Sequence, residues 1–320
     1  MPSATRKSGG RRVLVVVDPA ASQQPALAKG VCLAVAPGAR LTVYACDFHE
    51  GLAAAPRARP AQRLLAAARR EYLAAGHELL RALARRQGAP LRRTRVVFEL
   101  GSRREAHILA YVRRARPDLV VKDSHFHPEA RRALFGAADW PLIRACPVPL
   151  LYAKPRRWRA APRIAVAVDP GHPRDEPAAL DRRLVATAVR LARGLRGSLQ
   201  VVHAYLPLEP ALAGAMFLGL PGVDAGSATA LVAETERRAR RGVVALLRGL
   251  RAPRPAVVLL RGAALEALPG FAELEDLDVL VMGAVARSRA FELLLGATAE
   301  RLLERVACDV LVVNGPRRRR

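Results

Sequence analysis

Two aspartates that follow apolar runs are the first residues in the chain that could contact a ligand. Asp18 follows the run Val13–Val17, and Asp169 follows Ile164–Val168. A carboxylate at such a point can accept hydrogen bonds from a hydroxyl or an amine of a ligand. Since proline comes directly after each aspartate, an ordinary turn explains both residues equally well.

A glycine loop near the end of the chain has residues that suit a phosphate group. Gly283 follows the run Val279–Met282, and Gly296-Ala-Thr298 comes later, with Arg287 and Arg289 between them. Backbone N–H groups at a helix start, a hydroxyl and arginines together predict an anion-binding loop. The Gly296-Ala-Thr298 segment also fits an ordinary N-cap of the helix that follows.

Metal binding and catalysis have weaker support. Asp123, His125 and His127 are close in sequence, and residues two apart in an extended segment face the same side. No third or fourth ligand is evident nearby, so we interpret this segment as a polar loop and expect these residues to bind no metal. The sequence has no nucleophile elbow and no P-loop, which favours a binding protein over an enzyme.

These residues occupy matching places in an internal repeat. Three segments recur in the same order, at offsets that drift only from about 151 to about 162 residues: 12–19 and 163–170, 118–123 and 278–283, 144–151 and 306–313. In each half, short runs rich in valine and leucine alternate with amphipathic helical patterns. Such runs lack polar alternation, as is typical of parallel strands covered on both faces.

The repeat predicts an α/β protein with two tandem, doubly wound, parallel five-stranded sheets. Ligands of such sheets bind at the carboxyl ends of the strands, where the candidate residues lie. The expected boundaries are a disordered basic N-terminus at 1–11, a first domain at 12–154, a linker at 155–162, a second domain at 163–314 and a basic tail at 315–320.

The amino-acid composition limits the classes of protein to which the chain can belong. The chain is 51% apolar, which supports sizeable cores, and its formal net charge of +25 raises the question of nucleic-acid binding. Only four of the 53 basic residues are lysines, so the charge resembles a coding bias spread over all surfaces. We therefore expect only weak, non-specific binding of polyanions.

The cellular location is predicted from the longest uncharged stretch and from the cysteines. The longest uncharged stretch, Pro210–Val223, has 14 residues, whereas a membrane-spanning helix needs about 20. The four cysteines show no C-x-x-C spacing and fit buried, reduced positions. These features predict a cytoplasmic protein without membrane insertion.

The aspartate after the first strand, the glycine loop after the fourth strand and the final strand after a cysteine resemble the universal stress protein family, in its tandem two-domain form. The resemblance extends from about Arg12 to Val313. It implies a Rossmann-like fold of the adenine nucleotide alpha hydrolase type, and a role in the stress response.

The family's ATP-binding members carry Gly-x2-Gly-x9-Gly-Ser/Thr, which this chain matches in part. Gly283 and Gly296 fit the first and third glycines, whereas Ala286 replaces the middle glycine and Ala297 replaces the hydroxyl residue. The next residue, Thr298, carries a hydroxyl. The resemblance implies a second-domain site for ATP formed by Asp169, Val202, Gly283, Arg287, Gly296 and Thr298.

The first domain has Asp123 where the second has Gly283, and this carboxylate would repel phosphate. We therefore expect no nucleotide in the first domain. Two functions stay open for the whole chain. One is a stress-response protein that binds ATP in its second domain and acts through partners, as a pseudo-dimer or a homodimer. The other is a scaffold without nucleotide, or a protein that binds an apolar ligand beneath the insertion around Met216 and Phe217.

Overall fold

The computed structural model describes residues 11–53, 58–124, 139–170, 179–206, 225–250, 255–283 and 302–315. The chain divides into two compact units between Arg157 and Trp158. Each unit is an α/β sandwich built around parallel strands, as the sequence predicts.

The strands and helices of the first unit alternate along the chain. They are β1 (Arg12–Val16), α1 (Pro25–Leu33), β2 (Arg40–Asp47), α2 (Glu50–Ala53), α3 (Arg59–Arg86), a 3₁₀ turn (Leu91–Arg93), β3 (Thr94–Leu100), α4 (Arg104–Ala115), β4 (Leu119–Asp123), α5 (Asp139–Ala145) and β5 (Leu150–Ala153). The strand order is β3-β2-β1-β4-β5, and the described ladders are parallel.

The second unit repeats this arrangement. Its described elements are β6 (Arg163–Ala167), α6 (Ala179–Leu195), β7 (Ser198–Tyr205), α7 (Ala225–Leu247), β8 (Ala256–Arg261), α8 (Ala264–Leu274), β9 (Val279–Gly283) and β10 (Asp309–Val313). The strand order is β8-β7-β6-β9-β10, again with parallel ladders. The prediction of two tandem, doubly wound, five-stranded parallel sheets is confirmed.

The apolar runs form strands because both faces of each sheet are covered. In β4 and β10 every residue is buried, which a strand with one wet face could not achieve. The helix α6 covers its sheet with one apolar stripe, including the fully buried Leu184 and Leu191. The core of each unit therefore lies between its sheet and the helices on either side.

One hydrogen-bonded clamp recurs in both units and joins the first strand to the fourth. The carboxylate of Asp118 accepts the Arg12 backbone N–H at 2.8 Å, and the Asp118 N–H donates to the Arg12 carbonyl at 2.8 Å. In the second unit Asp278 and Arg163 make the same two bonds, at 2.8 and 2.9 Å. The clamp fixes the start of each central strand pair.

The segment predicted as an exposed linker carries two anchored side chains. The Trp158 indole donates to Asp309 at 2.8 Å. The Arg159 guanidinium donates to the carboxylate of Asp278 at 2.8 Å and also pairs with Asp276. Residues 158 and 159 are therefore attached to the second unit by hydrogen bonds and charge.

The two clamps should differ in their contribution to stability. Asp278 is fully buried and neutralises Arg159, whereas the side chain of Asp118 keeps 33% of its exposure. We expect Asp278→Ala to lower the free energy of unfolding of its unit by about 3 kcal/mol, because the Arg163 N–H and the Arg159 guanidinium each lose a buried hydrogen-bond acceptor. For Asp118→Ala we expect about 1 kcal/mol.

Urea unfolding followed by tryptophan fluorescence can measure both values. Trp140 belongs to the first unit and Trp158 to the second. A Trp140→Phe background therefore reports on Asp278→Ala, and a Trp158→Phe background reports on Asp118→Ala. Equal losses in the two units would contradict the role of burial.

Candidate functional site

The carboxyl ends of the two central strands are the expected ligand site in each unit. The chain leaves β1 towards β2 on one side, while β4 lies on the other side of β1. In the second unit β6 lies between β7 and β9 in the same way. This switch point leaves a crevice above the strand ends, where open α/β sheets bind ligands.

Asp169 stands at the switch point of the second unit on a backbone fixed by hydrogen bonds. The Val168 N–H donates to the Val202 carbonyl at 2.9 Å, and Nδ1 of His203 donates to the Val168 carbonyl at 2.9 Å. The Asp169 N–H donates to Asp181 at 3.3 Å. Asp169 itself is exposed, whereas Asp181 is fully buried. The exposed carboxylate is thus presented from an ordered backbone.

The sequence also predicts that His203 is a hydrogen-bonded histidine near the end of a strand. It lies in β7, buried, and bonds to Val168 as described above. This prediction is confirmed.

Val202 contributes its side chain to the core of the second unit. It pairs in register with Ala167 of β6 and Val258 of β7's other neighbour, β8, and its side chain is fully buried. Its carbonyl is the group that fixes Val168. The predicted contact of Val202 with a purine stays a prediction.

Gly283 ends β9, the strand beside β6, and has little space around its Cα. A Cβ added there would lie 3.1 Å from Cδ2 of Leu180, at the start of α6. That separation is tighter than ordinary packing, so glycine lets the helix start and the strand end approach closely. Pro170 has a similar neighbour, because a Cβ on Gly242 of α7 would lie 3.2 Å from its Cγ.

Several predicted residues lie outside the described part of the chain: Arg287, Gly296 and Thr298 of the glycine loop, His125 and His127, and the insertion 210–223. The structure therefore brings together Asp169, Val202 and Gly283. Among the described residues no group of three or more His, Cys, Asp or Glu side chains could hold a metal ion. Within the same residues, no helix is long and apolar enough to cross a membrane.

In the first unit Asp123 takes the place that Gly283 has in the second. Its Oδ1 accepts the backbone N–H of Ala26, in the first turn of α1, at 2.6 Å. Its Oδ2 is buried and makes no hydrogen bond within the described residues. A helix start is where an external anion would bind, so here the protein supplies its own carboxylate.

Two buried lysines, Lys29 and Lys122, lie near this carboxylate, and a third, Lys154, is buried just after β5; the residues predicted from the sequence do not include them. Lys29, Lys122 and Lys154 are each no more than 7% exposed. The Lys29 ammonium donates to the Lys154 carbonyl at 2.6 Å, and the Lys122 ammonium donates to the Asp123 carbonyl at 3.2 Å. The signal in the sequence is the rarity of lysine in a chain rich in arginine, since all three described lysines are buried.

Electrostatics at Asp123 follow from its burial. Burial raises the pKa of Asp123 to about 6, and the Ala26 N–H with the Lys122 and Lys29 ammoniums limits that rise. Asp18, at the end of β1, adds to it by repulsion. The crevice of the first unit therefore contains the Asp123 carboxylate, whose negative charge is partly compensated by the Ala26 N–H and by the two lysines.

The ends of β1 and β2, two neighbouring strands of the first unit, are bridged by an arginine. Arg104, the first residue of α4, lies 3.9 Å from Asp18 and 3.8 Å from Asp47. The corresponding first residue of α8 is Ala264. This guanidinium bridge is thus a feature of the first unit, and it occupies the carboxylate that corresponds to Asp169.

Comparison with known proteins gives a consistent result. The model of the family described as "Universal stress protein family" matches residues 10–154 and 161–314. The curated "Universal stress protein E" of Escherichia coli K12 is 27% identical over 311 residues, covering 95% of this chain and 94% of that protein.

Solved structures show the same fold over 95% of the chain. A structure from Pseudomonas aeruginosa UCBPP-PA14, titled as a putative universal stress protein, has a TM-score of 0.66 at 22% identity, covering 95% of this chain and 93% of its own. A protein from Pseudomonas aeruginosa PAO1, titled as functionally unknown, has a TM-score of 0.65 at 22% identity, with coverage of 95% and 92%.

The raised pKa of Asp123 predicts a pH dependence of stability. A free aspartate has a pKa of 3.8, so between about pH 4 and 6 the folded protein binds this proton more tightly than the unfolded chain. Stability from this group is present at low pH and is lost as the pH rises through 6. Asp123→Asn removes the titration and keeps a carbonyl that can accept the Ala26 N–H.

We therefore expect the stability of Asp123→Asn relative to the unmutated protein to increase between pH 4 and pH 7. The increase should be at most about 3 kcal/mol. Urea unfolding at the two pH values measures it, with circular dichroism to verify folding. A difference that stays constant across this range would contradict the burial of the carboxylate.

Proposed function

Because the chain belongs to the universal stress protein family and carries two of its domains in tandem, we propose that it is a stress-response protein whose second unit binds ATP. It acts by binding, with occupancy of the site communicated to partner proteins, and not by catalysis. The first unit takes no nucleotide. The following paragraphs give the support for each part.

The observation that carries the proposal is the contrast between the two switch points. In the second unit an exposed aspartate, Asp169, and a close-packed glycine, Gly283, end adjacent strands. In the first unit the glycine position holds Asp123, whose carboxylate already bonds to the start of α1. Negative phosphate groups are therefore better accommodated at the second switch point.

Each residue of the proposed site has a chemical role that suits a nucleotide. The Asp169 carboxylate accepts a hydrogen bond from a ribose hydroxyl or an adenine amine. The segment around Val202 supplies apolar surface for the purine. Gly283 begins the loop whose further residues, Arg287, Gly296 and Thr298, offer positive charge, backbone N–H groups and a hydroxyl to phosphates. Mg²⁺ would enter with the nucleotide.

The two departures from the family's glycine pattern weaken this site without removing it. An alanine at 286 costs about 1 kcal/mol if the loop needs a left-handed backbone there. Ala297 moves the hydroxyl by one residue, to Thr298. A binding constant weaker than that of a complete motif is the expected consequence.

The basic surface gives the protein a second, generic interaction. Arginines lie on the exposed faces of α3 and α7 in different units, for example Arg70, Arg86, Arg238 and Arg240. Such a spread of charge attracts polyanions weakly and without sequence preference, and it raises the local concentration of nucleotide. We propose a cytoplasmic location, with a second copy of the chain or other proteins as partners.

Titration calorimetry with Mg·ATP at low salt tests nucleotide binding. We expect one site per chain, and a loss of at least about tenfold in affinity for Asp169→Ala, because a charge-assisted hydrogen bond is worth about 1.5–3 kcal/mol. The matched control is Asp18→Ala, at the equivalent position of the first unit, which should leave the affinity unchanged.

Three results would contradict the proposal. Absence of heat would favour the scaffold without nucleotide. Equal binding by Asp169→Ala would place ATP elsewhere on the chain. A loss caused by Asp18→Ala in place of Asp169→Ala would assign the nucleotide to the first unit.

A further inference from the structure

The outer strand of the second unit, β8, has an edge that faces away from the sheet. β8 ends the strand order β8-β7-β6-β9-β10, and within the described residues β7 is the strand that pairs with it. An edge strand presents a row of backbone N–H and C=O groups that another strand can bind. The corresponding edge strand of the first unit is β3, so the two edges can be compared residue by residue.

The hydrogen bond that follows β8 shows which of its residues face outward. The Gly262 N–H donates to the Tyr205 carbonyl of β7 at 2.9 Å. In a strand the N–H and C=O of one residue point to the same side, and successive residues alternate between the two sides. The backbone groups of Val258 therefore point towards β7, whereas those of Val257 and Leu259 point away from it. No described residue forms a hydrogen bond with these outward groups.

The edge of β3 has the same geometry, but a side chain closes it. The Gly101 N–H donates to the Asp47 carbonyl of β2 at 2.9 Å, so the N–H of Phe98 points outward. His77 of α3 accepts this N–H through Nε2 at 3.3 Å. Nδ1 of the same ring donates to the Leu73 carbonyl at 2.7 Å, which leaves Nε2 as the acceptor.

The second unit has no such acceptor at the matching position. The glycines that follow β3 and β8 are 161 positions apart, and at this offset Leu259 corresponds to Phe98 and Arg238 to His77. Arg238 is exposed, and a guanidinium cannot accept a hydrogen bond. Among the described residues, the outward N–H of Leu259 therefore lacks the side-chain acceptor that Phe98 has.

The side chains of β8 also favour pairing with another apolar strand. β8 reads Ala256-Val-Val-Leu-Leu-Arg261, with its charge at the last residue, whereas β3 carries Arg95 and Glu99 within the strand. Residues 257–260 remain partly exposed on both faces of the sheet, although α7 and α8 pack on this strand. A further strand beside β8 would cover both apolar rows.

We propose that β8 pairs with β8 of a second copy of the chain, antiparallel and about a two-fold axis at Val258. In this register Val257 of each copy lies opposite Leu259 of the other, and their outward N–H and C=O groups form about four hydrogen bonds. The interface is isologous, since the same strand contributes both halves. It gives a place to the second-copy partner of the proposed function and is independent of ATP.

The occupant follows from the symmetry of the strand. When identical strands run antiparallel about Val258, each apolar residue of 256–260 meets an apolar residue of the partner strand. The two Arg261 side chains then lie at opposite ends of the pair. Residues 256–260 include no charged or polar side chain that would select the sequence of a foreign peptide.

Sedimentation equilibrium of the full chain tests the dimer. At about 0.1 mM protein and about 0.5 M NaCl we expect a mass of about 69 kDa, twice the 34.5 kDa of one chain. Each chain has a formal net charge of +25, so salt screens the repulsion between copies, and the dimer should be about threefold or more weaker at low salt. A mass of 34.5 kDa at both salt concentrations would overturn the proposal and leave β8 to a strand of another protein.

A matched pair of lysine variants locates the interface. Val257 and Val96 are equivalent outward residues of the two edge strands. Val257→Lys should weaken dimerisation about tenfold or more, because a charge would be buried against the apolar row of the partner strand. Val96→Lys should leave dimerisation unchanged. Dimerisation unaffected by Val257→Lys would overturn the assignment to β8.

A disulfide tests the register and does not depend on the folding of a charged variant. At the two-fold axis Val258 forms a non-hydrogen-bonded pair with its copy, with Cα atoms about 4.5 Å apart, within reach of a disulfide. In a Cys32→Ser background, which removes the exposed native cysteine, Val258→Cys should give a covalent dimer on oxidation. Leu260→Cys should not. Absence of cross-linking at 258, or equal cross-linking at 260, would overturn the proposed pairing.

The dimer and the nucleotide site are tested separately. Asp169→Ala should dimerise normally, even if it no longer binds ATP. Val257→Lys should bind Mg·ATP as the unmutated chain does. Failure of either proposal therefore leaves the other intact.

Discussion

The clamp between the first and fourth strands of each unit is the interaction on which the candidate sites depend. Asp118 and Arg12 in the first unit, and Asp278 and Arg163 in the second, exchange bonds between carboxylate, N–H and carbonyl groups. A parallel pair that slipped by one residue would turn every side chain to the other face of the sheet. Because the starts of the strands are fixed, their carboxyl ends meet at a defined place.

At the carboxyl ends of these strands the two units differ in the side chain at one equivalent position. Gly283 leaves room for close backbone approach, whereas Asp123 places a carboxylate against the start of α1. Once this carboxylate is buried, cations are needed near it, and Lys29 and Lys122 supply them. The first unit thereby forms with its own side chains the charge contacts that a ligand would otherwise make.

The basic composition has a different meaning at the surface and in the interior. Exposed arginines are spread over helices of both units and indicate no single binding face. The three lysines that the structure describes are all buried, and two of them, Lys29 and Lys122, act on the carboxylate of Asp123. The rarity of a residue type is therefore informative where the few remaining copies share one environment.

By itself the sequence determined the fold class. Apolar runs and helical periodicity are local patterns, and each of them occurs in both halves of the internal repeat. It also predicted where Asp169 and Gly283 lie, since residues directly after parallel strands lie at the carboxyl edge of the sheet. Only the tertiary structure revealed the contacts of Asp123 with the start of α1 and of Lys29 with Lys154. Asp123 and Ala26 are 97 residues apart in sequence, and Lys29 and Lys154 are 125 apart. Contacts at such separations depend on how helices pack onto the sheet, which no local pattern encodes.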